Sequence, residues 1–401
     1  MSEPQVRATP IPAAESQAMA LLALVSCQVG LHACTQGARL AAPLQALQQG
    51  QGAFTVGVLL AFFALVPAVF AIPAGRMADR FGFHRPVRVA ATLSLMGALC
   101  SALSSHVLAL CATGALCGAG SGFGMIAVQR TASRMARSAA ERISIFSRVA
   151  LAPSVANLVG PMLAGVLIDH YGFRAAFSAL ALLPAATLLI AGGVPRELIA
   201  RAAPVATAPP PAWQMLRSPG FRRLLFINWL VSTSWDVFGF ALPILGHARG
   251  FSAASIGGVL AAYAVASMAV RLLIPLVAER LSRRLMMVGA LGLAGVVLLV
   301  FPFLGAVWAM GLGASVLGLA LGAVQPAILA SVHEVAPPGR QGEALALRAM
   351  SVHLSMATMP LVFGAAGAAL GASTLLGLMA GALALGTWQA SRKGSESHAD
   401  H

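Results

Sequence analysis

The chain has 401 residues, 58% of them apolar and only 9% charged, with a formal charge of +14 and a mean hydropathy of +0.83. Soluble domains average about 45–50% apolar and about 25% charged, so a water-soluble globular protein is excluded. The basic balance has no nucleic-acid signature beside it, and nucleic acid is not an expected partner.

The apolar residues fall in twelve blocks, near 17–42, 53–75, 87–105, 107–130, 144–168, 175–194, 222–246, 253–275, 285–304, 306–330, 343–368 and 371–391. Each is about 20 residues long, enough to cross ~30 Å of hydrocarbon at about 1.5 Å per residue. Block length without strict alternation predicts helices rather than barrel strands. The expected fold is an all-α integral membrane protein of twelve transmembrane helices, its surface in contact with the lipid bilayer. Residues 1–16, with Glu3, Arg7 and Glu15, read as a short cytosolic tail and not as a cleavable signal.

The first block carries Gln28, His32, Thr35, Gln36 and Arg39 at helical spacing on one face. Gln28 alone reads equally well as a tie between helices, and His32 as a packing histidine. Between the second and third blocks stands "GRMADRFGFHRP", in which Gly75 and Gly82 suit a close approach and a tight turn, and Asp79 suits a helix start. Five cysteines, Cys27, Cys34, Cys100, Cys111 and Cys117, lie in apolar blocks at spacings that match no metal or redox motif. The fifth block holds "ANLVGPMLAG", where Gly160, Pro161 and Gly165 allow close packing and a bend. Asn157 in the same stretch is a further polar wall residue.

Residues 195–221 are polar and proline-rich and read as a cytosolic linker. They separate an N-terminal bundle, 17–194, from a C-terminal bundle, 222–391, each of six helices, with a cytosolic tail at 392–401. Sliding the chain by 200 positions aligns the halves: Pro43 meets Pro243, Gly50 meets Gly250, Gly57 meets Gly257 and Arg80 meets Arg280. Two such halves suit bundles that rock about a central site.

The seventh block carries Asn228, Ser232 and Asp236 on one face, the 200-residue mates of Gln28, His32 and Gln36. Asp236 is the acid set deepest in any block, where a charge costs ~2.5–3.5 kcal/mol on insertion scales; Asp169 and Glu343 sit at block ends, where the interface can solvate them. Arg39 lies at a depth comparable to Asp236, so the two are expected to pair, either as a gate or as a static structural bridge. Trp229, Trp235 and Phe238 either stack on a ligand or face lipid. Gln325 and His353 are later polar candidates, the second a titratable one. Arg148 and Arg348 are expected to snorkel toward lipid phosphates.

The "GRMADRFGFHRP" stretch resembles the G-x-x-x-D-R-x-G-R-R signature of the major facilitator superfamily, through Gly75, Asp79, Arg80, Gly82 and Arg85, with Phe83 and His84 departing from it. The resemblance implies two pseudo-symmetric bundles, with Asp79 meeting the start of the eleventh helix near Gly342 and Glu343 as a gating loop. "ANLVGPMLAG" is similar to the helix-five motif of the drug:proton antiporter branch, with Ala156 and Ala164 replacing glycines. Gly114 stands where such exporters carry an arginine in the fourth helix. In this family the first and seventh helices face the central cavity, which places Gln28, His32, Gln36, Arg39, Asn228, Ser232, Trp235 and Asp236 along it, and Gln325 is a further candidate for its wall.

If the N-terminus is inside, only Arg39, Arg174 and Arg249 among the 26 Lys+Arg fall on or near the outer side. The rest, Arg76, Arg88, Arg134, Arg137, Arg283 and Arg284 among them, are cytosolic, the positive-inside pattern. Compact loops and a single lysine, Lys393, point to a bacterial inner membrane. No nucleotide loop, metal cluster or nucleophile–base set occurs in the sequence, so no cofactor, metal or enzymatic activity is expected. The reading is a monomeric secondary transporter for a small organic solute, with proton-coupled export first and metabolite symport second. Asp236, His32 and His353 are its proton-coupling candidates. A membrane sensor is the rival of a different class.

Overall fold

The computed structural model describes residues 14–135, 145, 148–194, 212–277, 283–335 and 341–391. They form α1 (Ala14–Gln48), α2 (Ala53–Phe81), α3 (His84–Leu103), α4 (Val107–Met135), α5 and α6 (the two arms of Leu151–Ile190 on either side of Gly172), α7 (Pro219–Ala248), α8 (Ala253–Val277), α9 (Arg283–Val300), α10 (Val307–Val335), α11 (Gln341–Leu370) and α12 (Ala372–Ser391). No strand occurs among the described residues. Ten helical segments there are long and apolar enough to cross a membrane, and one of them, Leu151–Gly193, has 43 residues. Straight, it would run about 65 Å, twice the hydrocarbon core. Gly172, at φ 80 and ψ 174, breaks it into two passes. The expected outer connection between the fifth and sixth blocks thus shrinks to a kink.

The two halves repeat each other down to their turns. After α1 the Gly50 N–H bonds the Leu47 carbonyl and the Gln51 N–H bonds the Ala46 carbonyl; after α7 the Gly250 and Phe251 N–H groups bond His247 and Gly246 in the same pattern. Both glycines have φ near +75°, at 79° and 71°, the left-handed closure that stops a helix without a Cβ penalty. Gln49 then donates to the Ser105 carbonyl, and Arg249 to the carbonyls of Leu304 and Pro302, each pinning the next hairpin of its half. Pro43 and Pro243 both lie inside their helices. At the other end of the linker Ser218 caps α7 by accepting from the Phe221 N–H, with Pro219 at the first helical position.

Packing within the N-terminal half depends on small residues. A Cβ at Gly160 would strike the Ala33 carbonyl and the Gly37 nitrogen, so α1 and α5 touch backbone to backbone. The C-terminal half is filled instead by Phe221, Phe238, Phe240 and Phe301, all buried. Its core runs on into Leu40, Leu44, Val56 and Leu60 of the other half, so one apolar mass joins both.

The halves close on each other at the end carrying residues 49–52 and 249–252, through two seams. In the first, a Cβ on Gly57 of α2 would overlap the Pro360 carbonyl and Gly364 of α11. In the second, Gly257 of α8 faces the Pro161 carbonyl of α5, and Gly165 faces Ala253 and Ala254. Asp169 finishes the second seam: its Oδ1 accepts from the Ala253 N–H at 2.8 Å and its Oδ2 from the Ala254 N–H at 2.7 Å. The expectation that the membrane interface solvates Asp169 is corrected, since an unbonded helix start attracts a carboxylate more strongly than lipid headgroups can hold it.

Candidate functional site

Asp236 is 3% exposed and meets Arg39 across the two halves, Nη2 to Oδ1, at 3.7 Å. That separation is an ion pair without a hydrogen bond. Oδ1 has no hydrogen-bond partner, whereas Oδ2 accepts from Ser355 Oγ at 3.3 Å, and Ser355 is within 2.9 Å of Thr233. A buried carboxylate oxygen left half-satisfied in this way is a ready place for a proton.

Two cavities meet at this pair. The larger, of about 160 Å³, is lined by Asp236, Trp235, Ser232, Asn157 and Gln325 among others. A smaller one, of about 40 Å³, lies toward the sealed end against Gln36, Arg39, Pro161 and Gly239, and shares Trp235 and Asn157 with the first. Trp235 and the ion pair are therefore the partition between the main cavity and the seam beyond it.

The remaining polar groups of α1 and α7 are held mostly by their own halves. Gln36 Nε2 donates to Asn157 Oδ1 at 2.5 Å and lies 3.3 Å from His32 Nε2, while His32 Nδ1 is 3.0 Å from Ser121 Oγ. With Gln36 as donor, His32 accepts at Nε2 and donates from Nδ1. Asn228 donates to Ser351 Oγ and accepts from Arg348 Nη1 at 2.9 Å. The Arg348 side chain therefore bonds inside the protein and does not snorkel, because a ready amide oxygen lies closer than any lipid phosphate. Arg148 is exposed. Gln28 is buried with Oε1 unpaired, beside a separate 90 Å³ cavity at Gln129 and Pro153. The two stripes therefore do not face each other along their whole length, and Arg39–Asp236 is where they meet.

The gating stretch is helical through Phe81, longer than the loop read from the sequence, and turns only at Gly82, φ 67, whose N–H bonds the Ala78 carbonyl. Arg80 and Arg85 lie over the Phe81 ring at 5.1 and 4.4 Å. Among the described residues nothing stands within 4 Å of a Cβ on Gly75. The side chains of Asp79, Glu343 and His353 lie outside the described residues, as do the tails 1–13 and 392–401 and linker residues 195–211.

One line of residues was overlooked in the sequence. Tyr263, Ser267 and Arg271 of α8 all line the larger cavity. Their spacing of four places them in a column, and Tyr263 stacks on Trp235 with centroids 4.2 Å apart. The signal was the period-four polar spacing in an otherwise apolar block.

Helical halves sealed at one end, with a polar cavity between them and an ion pair at its partition, are the parts a membrane transporter needs. The Major Facilitator Superfamily model matches residues 24–230 and 224–395, and the chain belongs to that family. No curated protein sequence matches it. Among solved structures it is similar to a POT family transporter in complex with a thioalcohol-conjugated peptide, at 13% identity over 92% of this chain and 94% of that one, TM-score 0.76. It is also similar to a mutant of the peptide transporter POT, at 16% identity over 92% and 93%, TM-score 0.75. A mutant of the nucleoside transporter NupG matches at 12% identity over 92% and 98%, TM-score 0.75. At these identities the likeness is one of fold.

Proposed function

We propose that the chain is a monomeric secondary transporter that exports a small organic solute in exchange for protons, in the manner of the drug:proton antiporter branch. The observation that carries this reading is the Arg39–Asp236 pair, 3.7 Å apart, one partner from each half, at the partition of the cavity. Rocking the halves about the cavity must make and break that pair, and a proton on Asp236 removes its charge when it is broken. Gly160, Pro161 and Gly165 support the antiporter assignment through their place in the backbone contacts of α5. Symport of a metabolite is the second reading, favoured by the likeness to transporters of peptides and nucleosides. In inside-out vesicles, adding a transported solute to an acid-loaded lumen is expected to release protons outward as solute enters. Co-movement of solute and proton in the same direction would replace exchange by symport, and solute binding without flux would indicate a sensor.

The proposed setting is a bacterial inner membrane, with both tails and the linker 195–221 cytosolic and the two bundles 17–194 and 222–391 on either side of it. The sealed end then faces the periplasm, and the described conformation is inward-facing. Reporter fusions after Gly50 or Ala372 should read as periplasmic, and fusions within 76–86, 196–218 or 392–401 as cytosolic. A periplasmic signal from the C-terminal tail would invert the assignment.

A further inference from the structure

We infer that the main cavity is built for an organic anion, with Arg271 as the anchor for its carboxylate or equivalent acid group. The inference deepens the transport reading by naming the class of solute.

Among the described residues lining the cavity the one acid is Asp236, and it is enclosed, 3% exposed, with one oxygen toward Arg39 and the other bonded by Ser355. A cationic solute would have to displace Arg39 to reach it. Arg271 is the opposite case: it lines the same cavity, is exposed, and has no hydrogen-bond or ion-pair partner among the described residues. The other acid with a described side chain, Asp169, is committed to the start of α8 at the sealed end. With Asp236 neutralised by Arg39, Arg271 leaves the wall electropositive, and clefts of one sign concentrate ligands of the other.

Lipid is the competing destination for an exposed arginine on a membrane helix. The α8 sequence argues against it. Leu272 and Leu273, the next two residues, are the exposed apolar ones, at 63% and 54%. Arg271 stands instead at the foot of the column Tyr263–Ser267–Arg271, which faces the cavity. The fork of a guanidinium fits a planar carboxylate through two parallel bonds, which an ammonium cannot reproduce.

The rest of the wall sets the body of the solute. Trp235 and Tyr263 form a stacked pair, with Phe238 behind them at 5.8 Å from Tyr263. Asn157, Ser267 and Gln325 add neutral hydrogen-bonding groups. An acid group at one end, an apolar or aromatic body against Trp235 and Tyr263, and a few polar substituents would satisfy every part of this wall. Arg271 also lies far from the seal, 18 residues along α8 from the seam, about 27 Å at the helical rise.

The test uses the purified full-length protein and three probes of one shape, radiolabelled benzoate, benzamide and benzylamine, in equilibrium dialysis. Benzoate should bind in preference to the neutral and cationic probes, and Arg271→Gln should weaken it at least about tenfold, the expected weight of a charge-assisted bond. Arg271→Lys should recover only part of the loss, and Arg88→Gln, which removes an exposed charge elsewhere, should change nothing. A thermal-unfolding midpoint equal to that of the unaltered protein checks that Arg271→Gln is folded. Preference for benzylamine or benzamide, benzoate binding indifferent to Arg271→Gln, or failure of all three to bind overturns the anion assignment. Vesicle flux is read separately, so movement of a cation or neutral solute would retire Arg271 as an anchor while leaving transport standing.

Discussion

Replacing Asp236 by asparagine is expected to abolish proton-driven accumulation, while exchange of solute down its own gradient continues. The side chain keeps its shape, so Ser355 can still donate to the remaining oxygen, and Arg39, which loses its counter-charge, keeps partial access to water at 17% exposure. Truncating the other partner is different: Arg39→Leu leaves an enclosed carboxylate without a counter-charge, which costs ~3–5 kcal/mol in buried pairs. Asp236→Asn is therefore the cleaner variant for function. Its cavity is permanently in the state that a proton would produce, so a pH gradient has nothing left to act on at this position. Proton flux, solute exchange and solute binding measured on one vesicle preparation separate the steps. If the variant still concentrates solute against its gradient with the usual pH dependence, coupling belongs to another group, and His32 and His353 are next.

The second large effect concerns the sealed end. A side chain on Gly57 is expected to trap the transporter open on that side. The atoms a Cβ would meet are the Pro360 carbonyl and the backbone of Gly364, neither of which can rotate away. Overpacking of this kind costs ~1–3 kcal/mol, and since it acts only on the closed state it moves the two-state population by about 5- to 150-fold. Gly57→Ala is the mild form and Gly57→Val the severe one. Double electron–electron distances between labels on the 49–52 turn and the start of α12 should lengthen in both. Unchanged distances in a folded Gly57→Val protein would mean that the seam yields without opening.

Much of the architecture was legible in the chain because membrane crossing is a local requirement. A block of about 20 apolar residues has few other uses, and the turns at Gly50, Gly82 and Gly250 were marked by residues able to hold a positive φ. Asp236 was legible for the same reason, since a charge in hydrocarbon needs a partner and Arg39 was the one at its depth. What could not be read was which helix stands beside which. Gln36 and His32 turn to Asn157 and Ser121 of their own half, and Arg348 turns to Asn228, because the nearest polar group decides, and proximity is a property of packing. Asp169 was misjudged on the same ground: its partner is a helix start 84 residues away. The column of Tyr263, Ser267 and Arg271 was legible in its period but not in its direction, toward cavity or toward lipid.

The bonds of Asp169 carry a mechanical consequence. The sealed end has two seams related by the 200-residue repeat, but among the described residues only one is latched, because the mate of Asp169 is Ala369, which offers nothing to the start of α2. Parting α5 from α8 must strip a carboxylate from two backbone N–H groups, whereas no such bond joins α2 to α11 among the described residues. The halves are thus joined on one flank by a clasp and on the other by a butt joint. Such a pair is expected to open like a book, with the spine at α5 and α8 and the fore-edge at α2 and α11, so that distances across α2 and α11 lengthen more than those across α5 and α8 and the way out of the cavity lies off the pseudo-symmetry axis.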